Sequence, residues 1–348
     1  MLARSHGYMH SHRCSAGISG QTGAALVVAL LVFAVCAGLM VAMQREFALF
    51  SQRGSNLFLG EQGYAYLRGA EELASVALVL DYDQDKVKEK PRDDLSEVWA
   101  REATPFPLEE GGFLMGSLED LQGRFNLNAL AERSGEGEGA ERFTPAQAQF
   151  IRLLQSLGDA SLTRQDAIAL TEAVGDWLDP DQEARFNGAE DDYYFVKTPA
   201  YRTANRAMAS VSELRAIANM SDELFLALEP WVTVWPSTPR PINIHTAPAT
   251  VLRSINSDGD LDPLDEADVE ALVVRRETEG YIDKSAFLED PVFAGKTLEQ
   301  TATLLGERSS YFLLSALVEI ADREMRLYSV LHRDRRQVKS LVRASGSL

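Results

Sequence analysis

The feature that most constrains this chain is the run Ala24–Met43, AALVVALLVFAVCAGLMVAM, which contains no charged side chain. Wound as an α-helix, such a run spans about 30 Å, the thickness of a bilayer's hydrocarbon core. The residues before it carry Arg4, Arg13, His6, His10 and His12 and no acid. Positive charge on the short flank places the start of the helix on the cytoplasmic side. Three readings fit this position. A cleaved secretory signal has an apolar core of about 7–15 residues followed by a small-x-small site; here the core is longer, and Val41-Ala42-Met43 makes a poor site. An uncleaved anchor is the second reading, and a processing signal centred on Gly23 is the third.

Charge narrows the function classes. The 348 residues hold 52 acidic and 34 basic side chains, a net charge of −18, so phosphate backbones and anionic lipid are repelled and cations are attracted. Non-specific nucleic-acid binding is disfavoured on that ground. A hydrophobic fraction of 45% with 25% charged residues is that of a folded protein. Cys14 and Cys36 both fall early, leaving the rest of the chain without a disulfide framework or a thiolate metal site.

After the apolar run, apolar residues at mixed spacings of three and four extend the helix over residues 44–80. Gly54, Gly60, Gly63 and Gly69 each weaken it by about 1 kcal/mol relative to alanine, so tertiary packing must hold it. Asp81–Asp94 reads as a solvated, charged linker. Its opening resembles a calcium loop, but Lys86 and Arg92 stand where such a loop needs Gly and Glu. Residues 81–130 are expected to supply the first part of a sheet domain, with Gly111–Leu130 as strand, turn and strand, the second strand ending at Arg124–Asn128. The glycine-rich Ser134–Arg142 marks a boundary.

Residues 143–235 read as an inserted helical domain. Thr144-Pro145 starts one helix and Thr163 caps the next, which runs to Trp177. Asp176–Tyr194 then gathers Asp176, Asp179, Asp181, Glu183, Glu190, Asp191 and Asp192. Such a cluster is either a solvated acidic loop or a site for a hard cation that takes oxygen ligands. Nothing in the sequence indicates the cleft and raised carboxyl that glycoside hydrolysis needs. Residues 239–295 form a second module: a strand at Ile242–Ile244, Thr246 as a cap candidate, a helix from Asp265 to about Thr278 closed by Gly280, and a short helix near Ser285. The module resembles a helix-hairpin-helix unit, except that Ser257–Asp262 replaces the glycine turn that points amides at phosphate in DNA-binding members. A structural role is expected for it; a membrane-anchored DNA receptor is the alternative. Over residues 310–348 three strand-like runs with short charged turns imply an antiparallel meander that completes the sheet begun at Phe113.

Several local patterns occur together in order. They are Gly23 before the apolar run, Arg68-Gly69-Ala70-Glu71, Leu118–Asn128, Asp176-Trp177-Leu178-Asp179 with Gly188-Ala189-Glu190-Asp191, and Ile242-Asn243-Ile244-His245-Thr246-Ala247-Pro248. Taken together, they resemble the K-type minor pseudopilins of the bacterial type II secretion system. The resemblance implies an α+β fold: a long N-terminal transmembrane helix packed on an antiparallel sheet, as in pilins, with a large helical insertion. It implies a prepilin leader over 1–23, cleavage between Gly23 and Ala24, methylation of Ala24, and a membrane helix over 24–43 with the remainder in the periplasm. It also implies a non-enzymatic role at the tip of a short fibre, initiating its assembly. The partners implied are other minor pseudopilins, the major pseudopilin, the inner-membrane assembly platform and the prepilin peptidase, with exported proteins as further contacts and no nucleic acid. In that family the helical domain binds calcium, which favours Asp179, Asp181, Glu190 and Asp191 as ligands. Departures from the family pattern are His245 in place of asparagine and a longer leader with no basic residue beside Gly23; Val28 at the fifth mature position, where most pilins have glutamate, is a trait of this subgroup.

Overall fold

The computed structural model describes residues 22–101, 104–109, 111–133, 142–321 and 323–346. The leader, apart from Thr22 and Gly23, and most of the glycine-rich boundary at 134–141 lie outside the described residues. The first helix, α1, runs Thr22–Asp85. Its residues up to Glu61 form one compact unit, and Gln62–Leu348 form another. Within the first unit Ala24–Met43 is exposed along its length, with a mean hydropathy of 2.9 in its most apolar 18-residue window, long and apolar enough to cross a membrane.

The second unit is built on a five-stranded antiparallel sheet in the order β1-β2-β7-β8-β9. Its strands are β1 (Phe106–Pro107), β2 (Phe113–Asp120), β7 (Tyr311–Ile320), β8 (Arg323–Asp334) and β9 (Gln337–Ala344). Alternation along β7 sends Phe312, Leu314, Ala316 and Val318 to one face, where they meet Leu67, Ala70, Ala74 and Leu78 of α1. The spacing of three and four residues on the helix matches the alternation of two on the strand, so each element offers a single apolar stripe to the other. That packing supplies what the glycine-weakened helix lacks by itself. The C-terminal meander forms as the charged turns imply, with β7 paired to β8 from Tyr311↔His332 to Ile320↔Arg323.

The chain leaves this sheet at Asp120 and returns at Tyr311. Between them lie α2 (Pro145–Leu154), α3 (Arg164–Leu178), α4 (Asp191–Tyr194), α5 (Asp222–Leu228), α6 (Ala249–Arg253), α7 (Glu266–Thr278) and α8 (Lys284–Leu288). Thr144 and Thr163 cap α2 and α3 as their positions imply, Thr144 in a reciprocal capping box with Gln147. Residues 143–235 and 239–295 meet in one hydrophobic core that extends from Phe125 to Leu305. The buried Arg152 of α2 ties them further, donating to the carbonyls of Ser254 (2.7 Å), Ser257 (3.0 Å) and Asp260 (2.8 Å).

Three expectations need correction. Arg124–Asn128 is not the second strand of a hairpin: β3 (Phe125–Asn126) leaves the sheet and pairs in parallel with β4 (Val232–Thr233), because Phe125 is buried in the insertion's core. A similar two-residue parallel pair joins β5 (Ile242–Asn243) to β6 (Leu305–Gly306). Thr246 is not a cap; Pro248 takes that position at α6, and the threonine hydroxyl donates to Asp120 instead. Asp81–Asp94 is not a solvated linker: α1 continues to Asp85, and Asp81, Asp85 and Asp93 are buried.

The exit and return points are held by Asp120. Its buried carboxylate accepts hydrogen bonds from the Ser309 hydroxyl, from Thr246 Oγ1 (2.5 Å), from Asn243 Nδ2 (3.1 Å) and from the backbone N–H of Gln122 (2.8 Å). Burial raises its pKa, the donors opposing that shift in part. Asp120→Ala would leave several buried donors without an acceptor, and a loss of about 3 kcal/mol in unfolding free energy is expected. Chemical denaturation of the full chain measures it, and a loss under about 1 kcal/mol contradicts the assigned role.

Candidate metal centre

The acidic loop grows out of the C-terminus of α3. That helix turns two carboxylates, Glu172 and Asp176, toward the loop that follows it. Glu172 accepts the backbone and side-chain N–H groups of Asn187 at 2.7 and 2.9 Å and pairs with Arg142. Asp176 accepts the backbone N–H of Arg185 at 3.1 Å. Two glycines make the approach possible: a Cβ on Gly188 would lie 1.8 Å from Asp176 Oδ2, and one on Gly175 would lie 1.3 Å from the Arg185 guanidinium. Folded back in this way, the loop brings carboxylate oxygens of Asp179, Asp181 and Glu190 within 4.8 Å of one another.

The partners of these groups are unevenly distributed. Arg133 donates to Asp181 (2.7 Å) and Glu183 (3.2 Å), and Arg185 donates to Asp179 (3.2 Å). Thr203 Oγ1 lies 3.1 Å from Glu190 Oε2 and 3.0 Å from Asp191 Oδ1, yet its single proton serves one acceptor at a time. Asp179 Oδ1, Glu190 Oε1 and Asn205 Oδ1 are buried without a hydrogen-bond partner. Burial pushes Asp176 up to about 6 and Glu190 up to about 7, and neighbouring carboxylates add to both shifts. Asp179 is raised for the same reasons, burial first.

Of the four residues favoured by sequence, the loop gathers Asp179, Asp181 and Glu190; Asp191 turns to Thr203, accepting from its backbone N–H at 3.0 Å. Asn205 was not among them. Its amide donates to the Asp181 carbonyl at 3.1 Å, and its backbone takes φ +46°, a left-handed conformation that asparagine tolerates. An isolated Asn well beyond the acidic run carries no sequence signal of this placement. Hard oxygen donors, two of the three carboxylates buried, with one oxygen each of Asp179 and Glu190 orphaned, fit calcium in donor type.

A second carboxylate group, Asp81, Asp93 and Glu97, also brings its oxygens within 4.8 Å, but Arg333 and Lys88 pair with it directly. The Ser257–Asp262 turn is satisfied by distant parts of the chain: Asp258 accepts the N–H groups of Gln300 and Thr301, and Asp262 pairs with Arg164. Gly23 and Ala24 lie in the first turn of α1.

An apolar helix that leads into an antiparallel sheet, with a helical insertion between two sheet strands, is the architecture of a pilin-like subunit. Two family models, both described as type II secretion system protein K, match residues 123–237 and 242–308. Type II secretion system protein K of Pseudomonas aeruginosa is 35% identical over 90% of this chain and 89% of its own length. That of Aeromonas hydrophila is 33% identical over 90% and 93%. A chain in the crystal structure of the GspK–GspI–GspJ complex from enterotoxigenic Escherichia coli superposes with a TM-score of 0.71 at 26% identity, covering 85% of this chain and all of that one. The chain therefore belongs to the type II secretion system protein K family and is a minor pseudopilin.

The loop geometry predicts the effect of one added methyl group. Gly188→Ala forces the loop away from Asp176, with an expected loss of about 2 kcal/mol in unfolding free energy. A variant as stable as the parent would contradict this packing.

Proposed function

We propose that this minor pseudopilin stands at the tip of the secretion fibre and helps to start its assembly, without catalysing a reaction. The observation that carries this reading is the insertion between Asp120 and Tyr311, a helical body with its own core set between neighbouring sheet strands. A subunit of that bulk suits the end of a fibre and not a tightly stacked interior. Val28 supports the same position, since a subunit without the usual glutamate can lead the fibre without leaving a buried charge unpaired. Other minor pseudopilins are the natural neighbours, as the complex of the related GspK with GspI and GspJ suggests. In this chain Leu73, Val76 and Leu80 of α1 are more than half exposed and offer them an apolar strip. The major pseudopilin, the inner-membrane assembly platform and exported proteins are further proposed contacts.

The processing reading completes the proposal. A prepilin peptidase cuts after Gly23, Ala24 is methylated, the helix starts on the cytoplasmic side of the inner membrane, and the sheet and insertion lie in the periplasm. Calcium is proposed for the acidic loop, held by Asp179, Asp181 and Glu190 with Asn205 Oδ1 as a further oxygen. Its charge would offset the repulsion among these carboxylates.

Two measurements test these readings. The mass of the mature amino terminus should correspond to a methylated Ala24; a terminus elsewhere overturns the processing reading. Chelation should lower the melting temperature of the full chain in detergent by a few °C at calcium levels about a hundredfold above Kd. Glu190→Gln should abolish that shift, and an unchanged melting temperature on chelation rules out the calcium site.

A further inference from the structure

The group at the end of α1 has an imbalance of charge that neither the fibre role nor the calcium loop uses. Asp81 and Asp85 lie on the last turns of α1, Asp93 and Glu97 on the segment that follows, and all four are at least nine-tenths buried. Two cationic side chains serve them from close range. Arg333 of β8 donates to Asp81 (2.7 Å), to Asp93, to the Ser309 carbonyl (2.9 Å) and to the Leu78 carbonyl (3.4 Å). Lys88 bridges Asp85 (2.7 Å) and Glu97 (2.6 Å). Arg308, half exposed, stands 3.8 Å from Asp85 at the rim. Glu97 Oε2 also accepts Trp99 Nε1 (2.9 Å) and the Asp94 backbone N–H (3.2 Å), while Asp94 itself turns to Arg92. Farther out, Asp83 pairs with Lys86 and Arg336.

Four buried carboxylates against two close cations leave surplus negative charge where water cannot screen it. A proton is the smallest species that removes that surplus without displacing Arg333 or Lys88. We propose that this cluster is a proton-operated latch, in which one proton held by Asp81 or Glu97 keeps the end of α1 seated on β8 and its loss loosens the attachment.

The titration behaviour agrees. Burial pushes Glu97 up to about 7, with Asp81 and Asp85 adding to the shift against Lys88 and Trp99, and burial likewise raises Asp81. Because the folded value of Glu97 lies above its unfolded value of 4.5, its contribution to stability is complete below about 4.5 and is lost as the pH rises through about 7. Between pH 6 and pH 8 those two values correspond to about a tenfold fall in the folding equilibrium.

The test is hydrogen exchange of the full chain in detergent, read on peptides within residues 78–97 and corrected for the intrinsic pH dependence of exchange. The parent should lose about tenfold more protection than Glu97→Gln between pH 6 and pH 8. Taking the difference between the two proteins removes the separate titration of the acidic loop, which belongs to the other core. Asp85→Asn is the second variant. It removes a neighbouring negative charge and should move the midpoint of the loss to lower pH, which keeps the idea testable if Glu97→Gln does not fold. Parallel pH profiles for the parent and Glu97→Gln, or an Asp85→Asn midpoint that does not move, would overturn the latch.

Discussion

The junction between the sheet and the insertion is organised by the buried carboxylate of Asp120. It is the last residue of β2, and it accepts hydrogen bonds from both the segment that enters the second half of the insertion and the segment that re-enters the sheet. One side chain thus ties two backbone crossings to the end of β2, beside the β5–β6 pairing and the hydrogen bonds of Gln122. Asn243 reinforces the junction: its Nδ2 lies 2.9 Å from the Asp93 carbonyl, 3.1 Å from Asp120 and 3.0 Å from Ser309 Oγ, so its two protons serve two of these three acceptors at a time. Buried polar networks of this kind specify geometry, and here Asp120, Asn243, Thr246 and Ser309 all find partners within the junction.

The acidic loop has the opposite character. Its outer supports are satisfied: Glu172 and Asp176 clamp the loop's backbone, and Gly175 and Gly188 allow the close approach. Its centre is left with orphaned oxygens and raised carboxyl pKa values. The calcium proposal rests on that contrast between a satisfied frame and an under-satisfied centre, because solvent would have served those oxygens had they been exposed.

Much of this was legible in the sequence, and the exceptions share a cause. The membrane-length run, the capped helices α2 and α3 and the C-terminal meander are written in local patterns, so residues within a few positions of each other decide them. The nearness in the chain of Asp179, Asp181 and Glu190 is local too, and the loop brings their carboxylates together. Asp81–Asp94 was misread because a charged stretch looks the same whether water or a distant arginine answers it, and Arg333 lies some 240 residues away. Asn205 was missed for the same reason, and Phe125-Asn126 was assigned to the sheet although its strand partner is Val232-Thr233. Residues whose roles are set by remote partners carry no local signature.

The register of β2 against β7 sets an order of events during synthesis. Asp120 pairs with Phe312, so the central strand pair cannot close until nearly two hundred intervening residues have been made. Pairings that distant are slow to form unless the chain between them has already condensed. The insertion, whose core runs from Phe125 to Leu305, supplies that condensation and brings the two ends of the gap together. Until β7 and β8 emerge, the stripe Leu67, Ala70, Ala74 and Leu78 of α1 has no sheet to cover it. The earliest helix made is therefore completed by the last strands made, and until then its apolar stripe lacks the strands that cover it in the folded chain.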